Sequence, residues 1–411
     1  MSARHVEYLI IGGGIAGVAA AEAIRSRDSG GSVVILSAEP HLLYSRVLLP
    51  SFLKGRIPRE RLFLRAAEQM SEARIEIAAG AEVVSVDAAN RRVLTAAGDF
   101  FSFDTLLIAS GGRVRDWPYG SGERVYRLQT IEDADRMAAD IGAGRIREPL
   151  IVGSSFIALE FIEIFLARGV MPRVLTPDPR FFAGMLEEKG GEMMAAHLAR
   201  HGVAAFFNER IRTAEERDGV WEIQTESARV LSADALAAGI GLERNMSFLK
   251  DSGVELGKQG VKADEFLETG ISGVFAAGDV AEYFDEISGR HRVSGNWTSA
   301  FLQGTRAGLN MAGERAAFGH VPSYAIQCAG LRIAALGECG PDAETAVRMD
   351  SALPRYERFF LRERRIAGAF LINGAQDLSH IAGLIAGKAD MRPYEELLSD
   401  MAFDIRRIKQ V

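Results

Sequence analysis

The sequence predicts an α/β protein with two parallel-sheet units in series and a smaller α+β region at the C-terminal end. Three observations carry this expectation. An apolar run over residues 6–11 meets three glycines, Gly12, Gly13 and Gly14, then an alanine-rich stretch at 15–25 and a β-branched run at 33–36. That order is strand, tight turn, helix, strand, the unit of a parallel sheet. About 140 residues later the order recurs, with a strand at 150–153, a helical stretch at 156–168 and a strand at 173–176. Beyond residue 321, strand-like pieces (332–336, 358–361, 367–372) mix with helical ones (378–386, 394–401) and the earlier pattern is lost.

Between these units the period changes. Residues 82–94 alternate apolar and polar side chains, and the alternation continues around 100–108, which predicts an antiparallel meander inserted in the first unit. A second alternating stretch at 221–231 mirrors it. From Val274 a strand runs into Gly278 and Asp279, and a long helical run covers 297–312.

Composition limits the function classes. At 411 residues the chain is too long for one ordinary core, and two or three domains are expected. With 48% hydrophobic and 25% charged residues it has the balance of a soluble globular protein. A net charge of −7 speaks against nucleic-acid binding. The two cysteines, Cys328 and Cys339, stand in a stretch that reads as loop-rich, and buried or free thiols are expected there rather than a disulfide scaffold or a metal cluster. No metal site is expected. The first seven residues are polar and lack the apolar core of a signal peptide. The longest apolar stretch, 150–167, is broken by Glu160 and Glu163, so no membrane span is expected and the expected address is the cytoplasm.

Gly12-Gly13-Gly14-Ile15-Ala16-Gly17 fits the glycine pattern of a dinucleotide-binding turn, directly after a strand and opening a helix. Gly12 permits the turn, Gly14 lets backbone approach a pyrophosphate, and Gly17 lets the helix lie close to the sheet. The N–H groups of Ile15, Ala16 and their neighbours then face the phosphates with the positive end of the helix dipole. Glu39 follows the second strand, placed to accept hydrogen bonds from both ribose hydroxyls. This turn alone does not separate FAD from NAD. The discriminating feature is the later Thr269-Gly-Ile-Ser-Gly-Val-Phe-Ala-Ala-Gly278-Asp279, where a strand delivers an aspartate to the mouth of the same sheet.

With that segment, the chain resembles along its whole length the flavoproteins that carry two dinucleotide-binding domains (glutathione-reductase-like). Within them it is most similar to rubredoxin and ferredoxin reductases and to the flavin module of nitrite reductase large subunits. The resemblance implies two Rossmann-like domains: a discontinuous FAD domain (1–118 and 242–320) and an NAD(P) domain (119–241). A small α+β interface domain would follow at 321–411. It implies that Gly278-Asp279 meets the FAD ribityl chain, that Glu39 holds the adenosine ribose, and that Val83 offers a backbone contact to adenine. Ala109-Ser110-Gly111 matches a turn that normally ends Ala-Thr-Gly, with Ser110 in place of threonine. Arg46, in Glu39-Pro-His-Leu-Leu-Tyr-Ser-Arg46, would lie along the pyrophosphate, where a fork of donors suits phosphate better than lysine does. Trp297, at the head of Trp-Thr-Ser-Ala-Phe-Leu-Gln-Gly304, would pack against the flavin ring.

The second turn departs from the pattern. In Gly153-Ser154-Ser155-Phe156-Ile157-Ala158-Leu159-Glu160 only the first glycine survives, with Ser155 and Ala158 at the other two places. Small residues still admit a pyrophosphate at a helix N-terminus; a decayed site is the alternative. Thr176 stands where the family often has a NAD-selecting glutamate, and no arginine pair follows, which favours NAD over NADP. Gly241, in Ala238-Gly-Ile-Gly241-Leu-Glu-Arg-Asn245, resembles the turn that passes near the nicotinamide.

Electron chemistry would belong to the flavin. Related disulfide reductases carry cysteines after the first helix or near residues 44–53, and this chain has none there, which excludes a thiol–disulfide mechanism. Many ferredoxin reductases pair a lysine five residues after the arginine with a glutamate near the flavin. Here that place is Ser51, while Lys54 lies a helical turn on and Glu160 is present, so Lys54 and Glu160 are the candidate catalytic pair; a solvated Lys54 is the alternative. The implied partner is a rubredoxin, a ferredoxin or another iron–sulfur protein, because the chain has no iron–sulfur motif of its own. Two alternatives stay open. One is the flavin subunit of a larger iron–sulfur complex of the phenylglyoxylate dehydrogenase type. The other is a non-enzymatic flavin-bound scaffold. The C-terminal domain would host contacts in a homo-oligomer or a hetero-complex.

Overall fold

The structure is a computed structural model and describes residues 3–120, 122–350 and 354–409. Residues 1–2 of the polar lead, residue 121 of the expected second domain, and residues 351–353 and 410–411 of the expected last domain lie outside the described residues. The chain divides into two compact units, Met1–Val47, Arg59–Arg113 and Leu242–Pro322 in one, and Leu48–Pro58, Val114–Gly241 and Ser323–Val411 in the other.

In the first unit, parallel strands lie in the order Ile75–Ala79, Val33–Ser37, Arg4–Ile11 and Phe100–Ile108, with Val274–Ala276 also parallel to the last. Leu9–Ile11, Leu106–Ile108 and Val274–Ala276 are unbroken buried apolar runs, as strands covered on both faces require, and all five residues of Val33–Ser37 are buried. The register is flush at one end. Ile11 pairs with Leu36 and with Ile108, and Ile108 with Ala276, so three strands stop together and Val33–Ser37 runs one residue on.

The opening helix, Ile15–Arg27, ends in Arg25 and Arg27, cations that suit the negative end of its dipole. Its alanines let the helix Trp297–Met311 come close: a Cβ on Gly304 would fall on the backbone of Ala16. The expected meander forms from Val83–Asp87 and Arg92–Thr95, both antiparallel. The strand Phe100–Ile108 is more than its third member. Its first residues pair antiparallel with Arg92–Thr95, while the rest lies parallel between Arg4–Ile11 and Val274–Ala276.

In the second unit a five-stranded parallel sheet runs Ala204–Phe206, Arg173–Leu175, Pro149–Val152, Ala235–Ala238, Val125–Tyr126. Again the ends are flush, with Leu175 beside Val152 and Val152 beside Ala238. The helix Phe156–Ala167 buries Ala158, Leu159, Phe161, Ile162, Ile164 and Phe165, which is why it reads as apolar almost throughout. The alternating stretch near 221–231 is two strands of a three-stranded antiparallel sheet, Ile211–Arg217, Val220–Thr225 and Val230–Ala233.

The C-terminal residues form a five-stranded antiparallel sheet, Ser323–Cys328, Leu331–Gly337, Arg365–Ile372, Arg355–Arg362 and Glu344–Asp350. The helix Leu378–Ala386 packs on its strand Arg365–Ile372. Two expectations fail here. Residues 394–401 hold only a short 3-10 turn, Leu397–Ser399, because Leu398 is buried while Leu397 is 41% exposed, so no apolar stripe forms. The loop expected around the cysteines holds for Cys339, which follows the strand Leu331–Gly337 in an irregular segment with its thiol on the Ala369 carbonyl at 3.4 Å, but not for Cys328, which ends a strand with its thiol buried. Among the described residues no helix is long and apolar enough to cross a membrane.

Candidate functional site

The flush strand ends of the first unit gather its candidate residues along one edge. Gly12 follows Ile11, Ala109 follows Ile108, and Ala277 follows Ala276, its N–H bonded to the Ile108 carbonyl at 3.0 Å. Gly12, Ser110-Gly111 and Gly278-Asp279 therefore lie beyond the carboxyl ends of adjacent strands, where open α/β sheets bind ligands. Gly12 has φ +116°, and a Cβ there would strike the Ala109 carbonyl, so the turn admits only glycine. Gly14 is the opposite: a Cβ would meet nothing within 4 Å, because the space in front of this backbone is open.

The helix that starts at Ile15 has no side-chain cap and no acidic residue in its first turn. Three other long helices cap themselves. Thr130 accepts from Asp133 at the head of Ile131–Gly142, Glu187 caps Glu188–Arg200, and Asn296 accepts from Ser299 at the head of Trp297–Met311. An uncapped helix start leaves its N–H groups and dipole to an external anion. Here the open space lies at Gly14, the residue that precedes the first turn Ile15, Ala16 and Gly17.

Glu39 lies past the Val33–Ser37 strand, and its carboxylate is held by the Tyr44 hydroxyl at 2.6 Å and by Arg46 Nη2 at 2.5 Å. Arg46 Nη1 also donates to the Tyr44 oxygen at 2.6 Å. The adenosine and pyrophosphate candidates, Glu39 and Arg46, are thus joined through Tyr44, a link the sequence did not suggest. Gly80 N–H bonds the Glu39 carbonyl at 3.2 Å, which brings the approach to Val83 beside Glu39. Val83 itself is buried at the start of its strand.

Burial pushes the Asp279 carboxyl above its ordinary value, while the charges of Arg244 and Arg46 pull it back. Among the described residues no hydrogen bond reaches that carboxylate. Behind it, Gln303 Oε1 accepts the Gly278 N–H at 2.7 Å, but Gln303 Nε2 and Ser299 Oγ are buried without partners. Trp297 is half-buried against the core at the head of the same helix. A phosphate cradle at an uncapped helix, an acceptor poised at the sheet edge and orphaned donors behind it suit a dinucleotide with a polyhydroxyl chain, as FAD is.

The second unit repeats the turn with other side chains. Gly153 has φ +128°, and a Cβ there would lie 2.6 Å from the Gly239 carbonyl oxygen. Ser155 caps nothing with its side chain, and the first turn of Phe156–Ala167 has no acid. Ser154 Oγ donates to Asp178, whose N–H donates to Thr176 Oγ1 at 3.2 Å, so Thr176 and Asp178 are fixed at the edge of this sheet. Asp178 is a further acidic group there. The Phe156 ring packs on Phe182 at 4.7 Å and Tyr324 at 4.4 Å, and Ile157 beside it is half-buried. Gly241 is exposed, with φ +92°.

Lys54 caps the C-terminus of a short helix, Leu49–Leu53, its N–H bonded to the Pro50 carbonyl at 2.9 Å. That helix packs against Phe156–Ala167, which carries Glu160. Burial pushes the Glu160 carboxyl up, Lys54 opposes the rise, and Glu163 adds to it. The structure therefore brings Lys54 and Glu160 within electrostatic reach of each other. Glu163 is tied by Arg56 at 3.2 Å and by the Ala329 N–H at 2.9 Å. Burial, then Glu163 and Glu160, pushes the Cys328 thiol far above its ordinary value, which leaves it an inert thiol.

A family model, pyridine nucleotide-disulphide oxidoreductase, matches residues 6–304. The chain belongs to this family. It is an FAD-dependent oxidoreductase with a nicotinamide dinucleotide as second cofactor, and its first turn, its second turn and Asp279 all fall inside the matched residues. The ferredoxin–NAD(+) reductase component of the anthranilate 1,2-dioxygenase system of Burkholderia cepacia is 28% identical over 94% of this chain and 96% of that one. Apoptosis-inducing factor 3 of Mus musculus is 26% identical over 96% of this chain, which spans 66% of the length of that protein. The crystal structure of the ferredoxin reductase for the CYP199A2 system from Rhodopseudomonas palustris superposes with a TM-score of 0.89 at 20% identity, covering 98% of this chain and 99% of that one. Despite the family's name, this chain has no cysteine before Cys328.

Proposed function

We propose that the chain passes electrons between NAD(P)H and an iron–sulfur protein of the ferredoxin or rubredoxin type, without a redox disulfide. When bound, FAD supplies the exchange between a two-electron donor and a one-electron acceptor. The observation that carries the reading is the pair of uncapped, acid-free helix starts, one behind Gly12 and one behind Gly153, joined to a late cysteine content that leaves no thiol relay. Similarity to a ferredoxin–NAD(+) reductase component over nearly the full length of both chains supports the choice of partner.

We assign residues 1–118 and 242–320 to FAD, 119–241 to the nicotinamide cofactor and 321–411 to partner or subunit contacts. Gly12, Gly14, Ile15, Ala16 and Gly17 hold the FAD pyrophosphate with Arg46. Glu39 and Val83 hold its adenosine half. Ala109, Ser110, Gly111, Gly278 and Asp279 hold its ribityl side, and Trp297 packs on its ring. Gly153, Ser155, Phe156, Ile157, Glu160, Thr176 and Gly241 hold the nicotinamide cofactor. Asp178 sets the preference between the two forms of that cofactor, since its carboxylate beside Thr176 repels a 2′-phosphate and favours NADH over NADPH. Lys54 and Glu160 serve as a coupled cation and acid that balance charge as electrons arrive.

The test is anaerobic rapid mixing. NADH should bleach the flavin absorbance faster than NADPH does, and an oxidised [2Fe–2S] ferredoxin added next should restore it. Replacing Glu160 with glutamine should slow the bleaching about tenfold, a rise in the barrier of about 1.4 kcal/mol. Indifference to both nicotinamide cofactors would return the reading to a flavin-bound scaffold.

A further inference from the structure

Arg244 is a cation at the first site that the glycine and aspartate motifs do not include. It stands at the end of the strand Leu242–Arg244, where the chain returns to the first unit. The next residue fixes its position. Asn245 N–H bonds the Gly111 carbonyl at 3.0 Å, Asn245 Nδ2 bonds the Ser110 carbonyl at 2.9 Å, and Ser110 Oγ donates back to the Asn245 carbonyl at 2.7 Å. Three bonds to one turn leave Arg244 little freedom.

From there, Arg244 Nε donates to the Asp279 carbonyl at 3.1 Å. Among the described residues its guanidinium makes no other hydrogen bond or ion pair. Arg46, the other cation facing the Asp279 carboxylate, is already committed to Glu39 and Tyr44. The helices packed behind Asp279, Ile15–Arg27 and Trp297–Met311, bring no acid in their first turns. The charges that face Asp279 are therefore Arg244 and Arg46, and Arg244 is the uncommitted one.

We propose that Arg244 is a positioning residue for FAD: it fixes the Asp279 backbone and keeps the carboxylate negative, ready to accept hydroxyl donors of the cofactor. The inference rests on the assignment of Asp279 to the FAD ribityl chain. A recessed carboxylate without its cation takes up a proton more readily, and a neutral carboxyl is a weaker acceptor than a carboxylate.

The test is titration of full-length apo-protein with FAD, followed by flavin fluorescence between pH 5 and pH 8, on wild type, R244Q, R244K, D279N and the double variant R244Q/D279N. Far-UV circular dichroism checks that each is folded. We expect R244Q to weaken FAD binding about tenfold at pH 7, and by a growing factor as the pH falls. R244K should recover most of the pH tolerance, because it restores the charge. In the D279N background R244Q should add little. Unchanged affinity and pH profile in R244Q, or an undiminished loss in the double variant, overturns the inference while leaving the site intact. A wild-type chain that takes up no FAD overturns the assignment of the site and the inference with it.

Discussion

Asp279, which we assign to the FAD ribityl chain, is a recessed carboxylate whose burial costs the empty protein stability. Burial raises its carboxyl above the ordinary value of 3.8, so the folded apo-protein binds this proton more tightly than the unfolded chain. Its contribution to stability is present below the ordinary value and is lost as pH rises through the raised one. Asp279→Asn removes that loss. The variant should melt higher than wild type as apo-protein at pH 7, with the difference closing near pH 4, in calorimetric scans. The same change should weaken FAD binding by about 10- to 150-fold, since a charged acceptor contributes roughly 1.5–3 kcal/mol.

Glu209 behaves the other way. Hydrogen bonds from Ser227 at 2.6 Å and Arg229 at 2.9 Å lower its carboxyl to about 2. The stability it supplies is present above its ordinary value of 4.5 and is lost as pH falls through about 2. Glu209→Gln should therefore lower the melting temperature at pH 7 and make no difference near pH 2. Gly12, Gly14, Glu39 and Asp279 were readable from sequence because turn chemistry and spacing are local properties. Arg244 and Tyr44 were not. Arg244 depends on Asn245 bonding Ser110, 135 positions away, and Tyr44 on a rotamer that bridges Glu39 and Arg46.

Among the elements, the strands and helices with long, unbroken patterns were legible, including the opening strand and helix, Phe156–Ala167 and Leu378–Ala386. The strands Ile211–Arg217 and Glu344–Asp350 were not. Ile211–Arg217 is mostly exposed and charged, Glu344–Asp350 places charged Glu344, Arg348 and Asp350 among its few apolar residues, and in both pairing with neighbours rather than an apolar face sets the conformation. The apolar residues of 394–401 suggested a helix, but a helical pattern needs a buried face, and here one leucine is buried beside one that is exposed. The contact of the opening helix with Trp297–Met311 gives the sharpest test at this scale. A side chain at Gly304 meets the Ala16 backbone, which has no flexible end to yield. Gly304→Val should cost about 1–3 kcal/mol, read as a lower urea midpoint at unchanged slope, and should weaken FAD binding because Ala16 belongs to the phosphate turn.

Taken as a whole, each unit obeys the same rule: parallel strands end flush, and the turns beyond their carboxyl ends carry the residues we assign to a dinucleotide. In one unit those turns hold Gly12, Ser110 and Asp279; in the other, Gly153 and Thr176. The fold class was legible because this arrangement repeats a strand–glycine–helix signal twice along the chain. The partner was not, because an electron acceptor is recognised by surface side chains that follow no periodic pattern. The most direct measurement is the FAD content of the purified full-length chain after incubation with excess FAD and gel filtration, quantified by absorbance and chromatography of the released cofactor. Close to one FAD per chain is expected. A protein that emerges colourless, or that retains a nicotinamide dinucleotide in place of the flavin, contradicts it.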